Sequence, residues 1–196
     1  MNTQNPYLEL SQARGNMYQF FSTIYLREPS KDFIKKILER EFINNLSEIF
    51  KKGAKCLKNF AETFDGKLEQ YDALVVEYNS LFNVPLEQYV APYESAYREG
   101  LLYIHAVEVK KFYEANGFSI SEDYKDLPDH VGLELEFMGH LCERGDLEAQ
   151  KKFFEDHLIK WVPNLCEEII KKSESDFYKG IARITKEFLE MEKGLF

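Results

Sequence analysis

The chain has 196 residues, 44% of them hydrophobic and 30% charged, with a net charge of −9. That is enough apolar material for the core of one domain or of two small ones sharing a core. The negative balance argues against a nucleic-acid backbone as partner and fits a basic peptide or protein.

The acid is concentrated. Nine carboxylates between Ser121 and Gln150 face only Lys125 and Arg144, and a solvated helix face is the ordinary explanation for such a cluster. Cys56, Cys142 and Cys166 are far apart and form no CxxC, which points to three buried small hydrophobes in a reducing, cytoplasmic compartment. Residues 1–12 show neither a basic start nor an apolar run, so a secretory signal is not expected. No apolar run is long enough to span a bilayer.

In chain order, residues 1–11 read as a polar, mobile lead-in. Met17, Phe20, Phe21, Ile24 and Tyr25 then mark a helix from Ala13 to Arg27 that ends at Pro29. Ser30 is placed to cap a second helix through Leu38. Phe42 to Phe50 keeps helical spacing after a break near Glu41, and Ala54 to Phe64 and Leu68 to Phe82 follow. Pro85 closes the last of these, and an aromatic-rich irregular stretch runs to Tyr97. Tyr97 to Asn116 reads as one long helix, counting Leu101 and Leu102. A polar linker over 118–128 separates it from a helix near Asp129, with Val131, Leu135, Met138 and Cys142 near one face. Leu147 to Trp161 is the next helix, Pro163 kinks or restarts the chain, and Leu165–Ile170 and Phe177–Met191 complete it. No stretch alternates at period two. The expectation is an all-α fold of about nine to eleven helices, with halves at about 13–117 and 129–196 and a hinge between them.

Catalytic motifs are absent: there is no dinucleotide fingerprint, phosphate loop, nucleophile elbow or HExxH. His130 with Glu134, and Glu136 with His140, each offer two ligands from one helix, but no further ligands are implied, so no metal is expected. Asp129 follows Pro128, which holds Leu127 extended. Asp129 then reads either as a helix N-cap followed by a first-turn His130, or as part of a site.

Four stretches carry a resemblance. They are Glu77-Tyr78-Asn79-Ser80-Leu81-Phe82, Ala91-Pro92-Tyr93-Glu94-Ser95-Ala96-Tyr97, Leu127-Pro128-Asp129-His130 with Glu134–Met138, and Phe153-Phe154, His157-Leu158 and Trp161-Val162-Pro163. In this order they resemble the TorD/DmsD/NarJ family of redox-enzyme maturation chaperones, most of all its TorD-type branch. The resemblance implies an all-helical cytoplasmic chaperone without catalytic turnover. It implies binding of a molybdenum-cofactor oxidoreductase catalytic subunit and its twin-arginine signal peptide, which assists cofactor insertion and delays export. It implies no cofactor, with weak GTP binding at most, and a monomer or a domain-exchanged dimer. Carried over, the peptide-binding residues are Tyr78, Leu81, Phe82, Pro92, Tyr93, Glu94, Ser95, Tyr97, Asp129 and His130. Two other classes stay open: a guanine-nucleotide-binding or hydrolysing protein, and a helical adaptor with no peptide groove.

Overall fold

The structure, a computed structural model, describes residues 6–100 and 103–196. The described residues hold ten α-helical segments: α1 (Pro6–Leu26), α2 (Lys31–Leu38), α3 (Arg40–Ile49), α4 (Lys51–Thr63), α5 (Leu68–Phe82), α6 (Ile104–Ala115), α7 (Val131–Arg144), α8 (Leu147–Phe153), α9 (Ile159–Lys172) and α10 (Asp176–Lys193). Among them there is no sheet, only an isolated antiparallel bridge between Tyr93 and His130. The fold is all-α, as the periodicity predicts. No helix of the described residues is long and apolar enough to cross a membrane.

Two compact units form. One joins the chain up to Arg27 with Pro92–Val162; the other joins Glu28–Ala91 with Pro163–Phe196. The division therefore does not fall at 118–128, which lies within the first unit. The chain leaves that unit after Arg27 because the helix preceding Arg27 packs on one that comes a hundred residues later.

In the first unit α1 lies along α7. Close approach is possible because a Cβ on Gly139 would stand 2.5 Å from the Gln19 side chain, and one on Gly132 2.4 Å from that of Leu26. Helix α7 is buried on all sides, from Val131 to Cys142 with few exceptions, rather than along one stripe. The rings of Phe112, Tyr113, Phe118 and Phe153 meet Phe137 from different directions. Gly145, at φ 68°, ends α7 in a left-handed cap, with the Asp146 N–H donating back to Leu141 O (3.2 Å). The Asp146 carboxylate then caps α8 by accepting from Ala149 N–H.

A π turn at Phe154–Leu158 joins α8 to α9, and α9 runs on through Pro163. Proline lacks an N–H and its ring crowds the carbonyl four residues back, here that of Ile159. The wide turn that ends at Leu158 shifts the register just before that carbonyl. It also lets Phe153, Phe154, His157, Leu158 and Trp161 all turn inward.

In the second unit α4 packs on α10 at two glycines. A Cβ on Gly53 would stand 2.7 Å from the backbone oxygen of Gly180 and 2.4 Å from the Ile184 side chain. Ser30 and Ser175 cap α2 and α10 with their hydroxyls. The break expected near Glu41 falls two residues earlier, at Glu39.

Two expectations fail locally. Residues 6–11 are the first turns of α1, not a lead-in, while residues 1–5 lie outside those described. The single helix from Tyr97 is instead a 3-10 turn at Glu94–Ala96 and a separate α6. Gly100 at φ 152° and Tyr103 at φ 68° interrupt the helical path, and Leu101 and Leu102 lie outside the described residues.

Candidate peptide-binding site

The residues singled out by sequence fall into both units. Tyr78, Leu81 and Phe82 belong to α5, and the structure buries all three. Tyr78 meets Phe82 edge-on at 5.1 Å, and both approach Tyr178 of α10 at 6.5 Å. Tyr178 donates its hydroxyl to Leu74 O (2.8 Å). Leu81 O accepts from Val90 N–H (2.7 Å), which fastens the segment after Pro85 to the end of α5. Glu77 accepts the N–H groups of Glu174 and Ser175 just before α10. This face of α5 is therefore interior, not an open apolar groove. What the second unit does expose nearby is Val84 and Leu86, the latter 74% exposed. They line a groove of about 710 Å³ with Ser80, Glu87 and the two lysines Lys171 and Lys172.

Pro92, Tyr93, Glu94, Ser95, Tyr97, Asp129 and His130 do come together, in the first unit. Val131 N–H donates to Pro92 O (2.8 Å) and Glu94 N–H to Asp129 O (3.0 Å). Asp129 is spent in this pairing, so the cap of α7 is His130 rather than Asp129. His130 Nδ1 accepts from Gly132 N–H at 3.1 Å. That bond requires a neutral imidazole with its proton on Nε2. Burial lowers the His130 pKa to about 4, against the opposing charge of Asp126. The Tyr93 ring meets the imidazole edge-on at 5.4 Å, and its hydroxyl donates to the Asp126 carboxylate.

The Asp129 carboxylate is fully buried. Its Oδ2 accepts from Ser95 N–H (2.8 Å), while Oδ1 has no partner among the described residues. Glu94, also fully buried, accepts from the Arg98 guanidinium and faces His157 Nδ1 at 2.9 Å. Arg98 also donates to Asp156 O (2.8 Å). Glu134 is the third buried carboxyl. Its Oε2 accepts from Trp161 Nε1–H (3.1 Å), and its Oε1 has no partner among the described residues. Burial first, then the charge of Glu94, hold Glu134 well above the usual carboxylate range, with the Trp161 bond opposing. Of the three carboxyls, Glu134 is the one whose proton is held most firmly against loss. The same environment, burial first and then Glu134 and Asp129, raises the Tyr113 phenol, which donates to Pro128 O.

The site set drawn from the sequence leaves out four members of this cluster, Arg98, Glu134, His157 and Trp161, although the last three stand in the stretches that carry the resemblance. A signal existed for Arg98, four residues after Glu94, and for Trp161, the only tryptophan of the chain. Nothing in the sequence marks Glu134 as buried. Among the described residues no three His, Cys, Asp or Glu side chains are arranged to hold a metal ion. Chemically the cluster is a surplus of acceptors: Arg98 and His157 serve Glu94, Trp161 serves Glu134 and the Ser95 N–H serves Asp129, which leaves one oxygen each of Asp129 and Glu134 without a partner among the described residues.

Two layers of likeness bear on this arrangement. A solved structure assigned as a redox enzyme maturation protein, from Archaeoglobus fulgidus, matches with a TM-score of 0.58 and 26% identity over 90% of this chain and 93% of that one. The architecture is thus that of an all-α protein of the redox-enzyme-maturation kind. Residues 44–167 match the family model "Nitrate reductase delta subunit". The chain belongs to that family, the TorD/DmsD/NarJ family. Among curated relatives, the TorD chaperone of Vibrio cholerae serotype O1 is 23% identical over 94% of this chain and 92% of its own length. That of Vibrio parahaemolyticus is 25% identical over 93% and 94%.

Proposed function

We propose that the protein is a maturation chaperone for a redox enzyme, and that it recognises the paired arginines of a molybdoenzyme's twin-arginine leader in the cytoplasm. In this role it turns over no substrate and needs no resident cofactor. It holds the apoenzyme until its cofactor is inserted and so delays export. The family membership and the TorD relatives support the chaperone role. The observation that supports arginine recognition is the acceptor surplus beneath the Pro92–Tyr97 segment, with Asp129 Oδ1 fully buried and unpartnered among the described residues.

A guanidinium is the cation best matched to such a carboxylate, because its planar fork can bond both oxygens. Access requires the Pro92–Tyr97 segment to move. That movement breaks the bridge bonds at Glu94 and Val131 and the Ser95 N–H bond to Asp129. Those two neutral bonds and one charge-assisted bond are worth about 3–5 kcal/mol together, a sum that a pair of charge-assisted contacts to arginine can offset if the side-chain bonds of Tyr93 to Asp126 and of Glu94 to Arg98 and His157 travel with the segment. Pro92, Tyr93, Glu94, Ser95, Tyr97, Asp129 and His130 form the moving lip and its anchor. Tyr78, Leu81 and Phe82 support the α5 end from inside. In the second unit the exposed Val84 and Leu86 offer an apolar client segment a separate footing.

The test is calorimetric titration with three ligands in turn: an Arg-Arg leader peptide, its Lys-Lys counterpart, and GTP. The reading expects the Arg-Arg peptide to bind at least about tenfold tighter than Lys-Lys, since about 1.4 kcal/mol of fork geometry is at stake. Equal binding of the two peptides refutes it, and tight GTP binding with no peptide binding moves the protein to the nucleotide class.

A further inference from the structure

The first unit carries a second groove whose charge is opposite to that of the acidic cluster. It has a volume of about 640 Å³ and lies between α6 and the run of α8, the π turn and α9. Its walls include Arg98, Lys111, Lys152 and Lys160, with Phe112 half-buried between them. In a chain of net charge −9 this is a local reversal of sign.

The carboxylates at the groove are already engaged. Asp156 pairs with Lys152 at 2.9 Å, and Glu108 lies 3.1 Å from His105 Nδ1. Arg98 is held by buried Glu94. Lys111 and Lys160 have no ion-pair partner among the described residues, and both are exposed, one on each wall. Among the described residues two ammonium groups therefore line an open trough outside any ion pair, and the groove's four cations outnumber its two carboxylates, Glu108 and Asp156.

We propose that this groove binds an acidic polypeptide segment of a protein partner, one with carboxylates on both sides of an apolar or aromatic residue. Lys111 and Lys160 take the carboxylates, and the Phe112 ring takes the apolar side chain. The cations come from separate elements, Lys111 from α6, Lys152 from α8 and Lys160 from α9, which suits charges strung along an extended chain. A compact phosphate would want converging backbone N–H groups or a glycine-rich turn, and the groove lining contains neither glycine nor a loop of that kind. The binding is largely electrostatic, so it weakens steeply as salt screens the exposed lysines. This goes beyond leader recognition and does not depend on it, because the partner segment has the opposite charge to the paired arginines.

The experiment uses the full chain and a fluorescein-labelled Glu-Glu-Phe-Glu-Glu peptide, followed by anisotropy at low and at physiological salt. Lys111→Glu with Lys160→Glu should raise Kd at least tenfold. Lys55→Glu with Lys58→Glu, which changes net charge equally on exposed α4 positions, should raise it by less than threefold. A Lys-Lys-Phe-Lys-Lys peptide should not bind. Equal losses in the two double variants would overturn the proposal, since binding would then follow net charge alone. Displacement of the labelled peptide by inorganic pyrophosphate at concentrations below those of unlabelled peptide would overturn it too, in favour of a small-anion site. Circular dichroism of each variant establishes that the fold is retained, which exposed lysine substitutions are expected to leave intact.

Discussion

His130→Asn separates the two properties that the structure gives this imidazole. Asparagine is among the best N-caps, so the bond from Gly132 N–H is kept in kind. What is removed is a buried titratable group, together with its edge-on contact to Tyr93. In the folded protein the His130 pKa is about 4, against an ordinary 6.5. A depressed value means that the unfolded chain takes up the proton first. The stabilisation is present above pH 6.5 and is lost as pH falls toward 4. Integrated from pH 7.5 down to pH 5, the loss attributable to His130 is about 2 kcal/mol. Glu134 works in the opposite direction. Its folded pKa is raised, so its contribution is present below the ordinary carboxyl range and is lost as pH rises. The whole-protein profile mixes the two, but differences between variants isolate each. Urea unfolding of the wild type, His130→Asn and Glu134→Gln across this range gives the traces, with every other titrating group cancelling. The stability gap between wild type and His130→Asn should shift by about 2 kcal/mol against the wild type at pH 5. The gap to Glu134→Gln should shift the other way. A His130→Asn trace parallel to wild type from pH 7.5 to 5 would refute the buried neutral cap.

Other perturbations follow from single contacts. Arg98→Ala leaves Glu94 buried with His157 alone; it should cost about 2–3 kcal/mol in urea unfolding, below the full value for a sealed pair, because Arg98 is 27% exposed. Glu94→Gln should cost less than Arg98→Ala, since the cation left behind reaches water; the reverse order would contradict the burial of Glu94. Gly53→Ala forces a Cβ against the Gly180 backbone oxygen and should cost about 1–3 kcal/mol, whereas Gly15→Ala meets Cys142 Cβ at 3.3 Å and Gly139 O at 3.5 Å and should cost less, as thermal melts would show. Leu86→Ser, at a 74% exposed position, should leave stability within about 0.5 kcal/mol, and a larger loss would mean that the segment after Pro85 is packed rather than open.

The helical class was legible because amphipathic period and caps agree, as at Ser30 and Gly145. The errors have local causes. Leu101 and Leu102 keep the helical period, yet a left-handed Tyr103 and the positive φ of Gly100 stop the helix, which no propensity announces. Asp129 is the better cap by type, but its backbone and side chain are taken by Glu94 and Ser95, so His130 inherits the role. Tyr78, Leu81 and Phe82 were found as one face of α5, and their side is interior because Tyr178 comes from a helix a hundred residues away. Long-range partners of this kind also hide Glu134, which accepts from the indole of Trp161, 27 residues further on. The residues from Pro92 to His130 that the resemblance groups into one set meet in the first unit, while the guanidinium and imidazole at Glu94 lie outside that set.

The central claim rests on the free oxygen of Asp129. Isothermal titration of an Arg-Arg leader peptide against the wild type and Asp129→Asn, with melting temperatures taken on the same samples, tests it most directly. A charge-assisted contact is worth about 1.5–3 kcal/mol, so the account predicts a Kd at least about tenfold weaker for Asp129→Asn at a melting temperature within a few degrees of wild type. Unchanged affinity in a folded Asp129→Asn protein would contradict it.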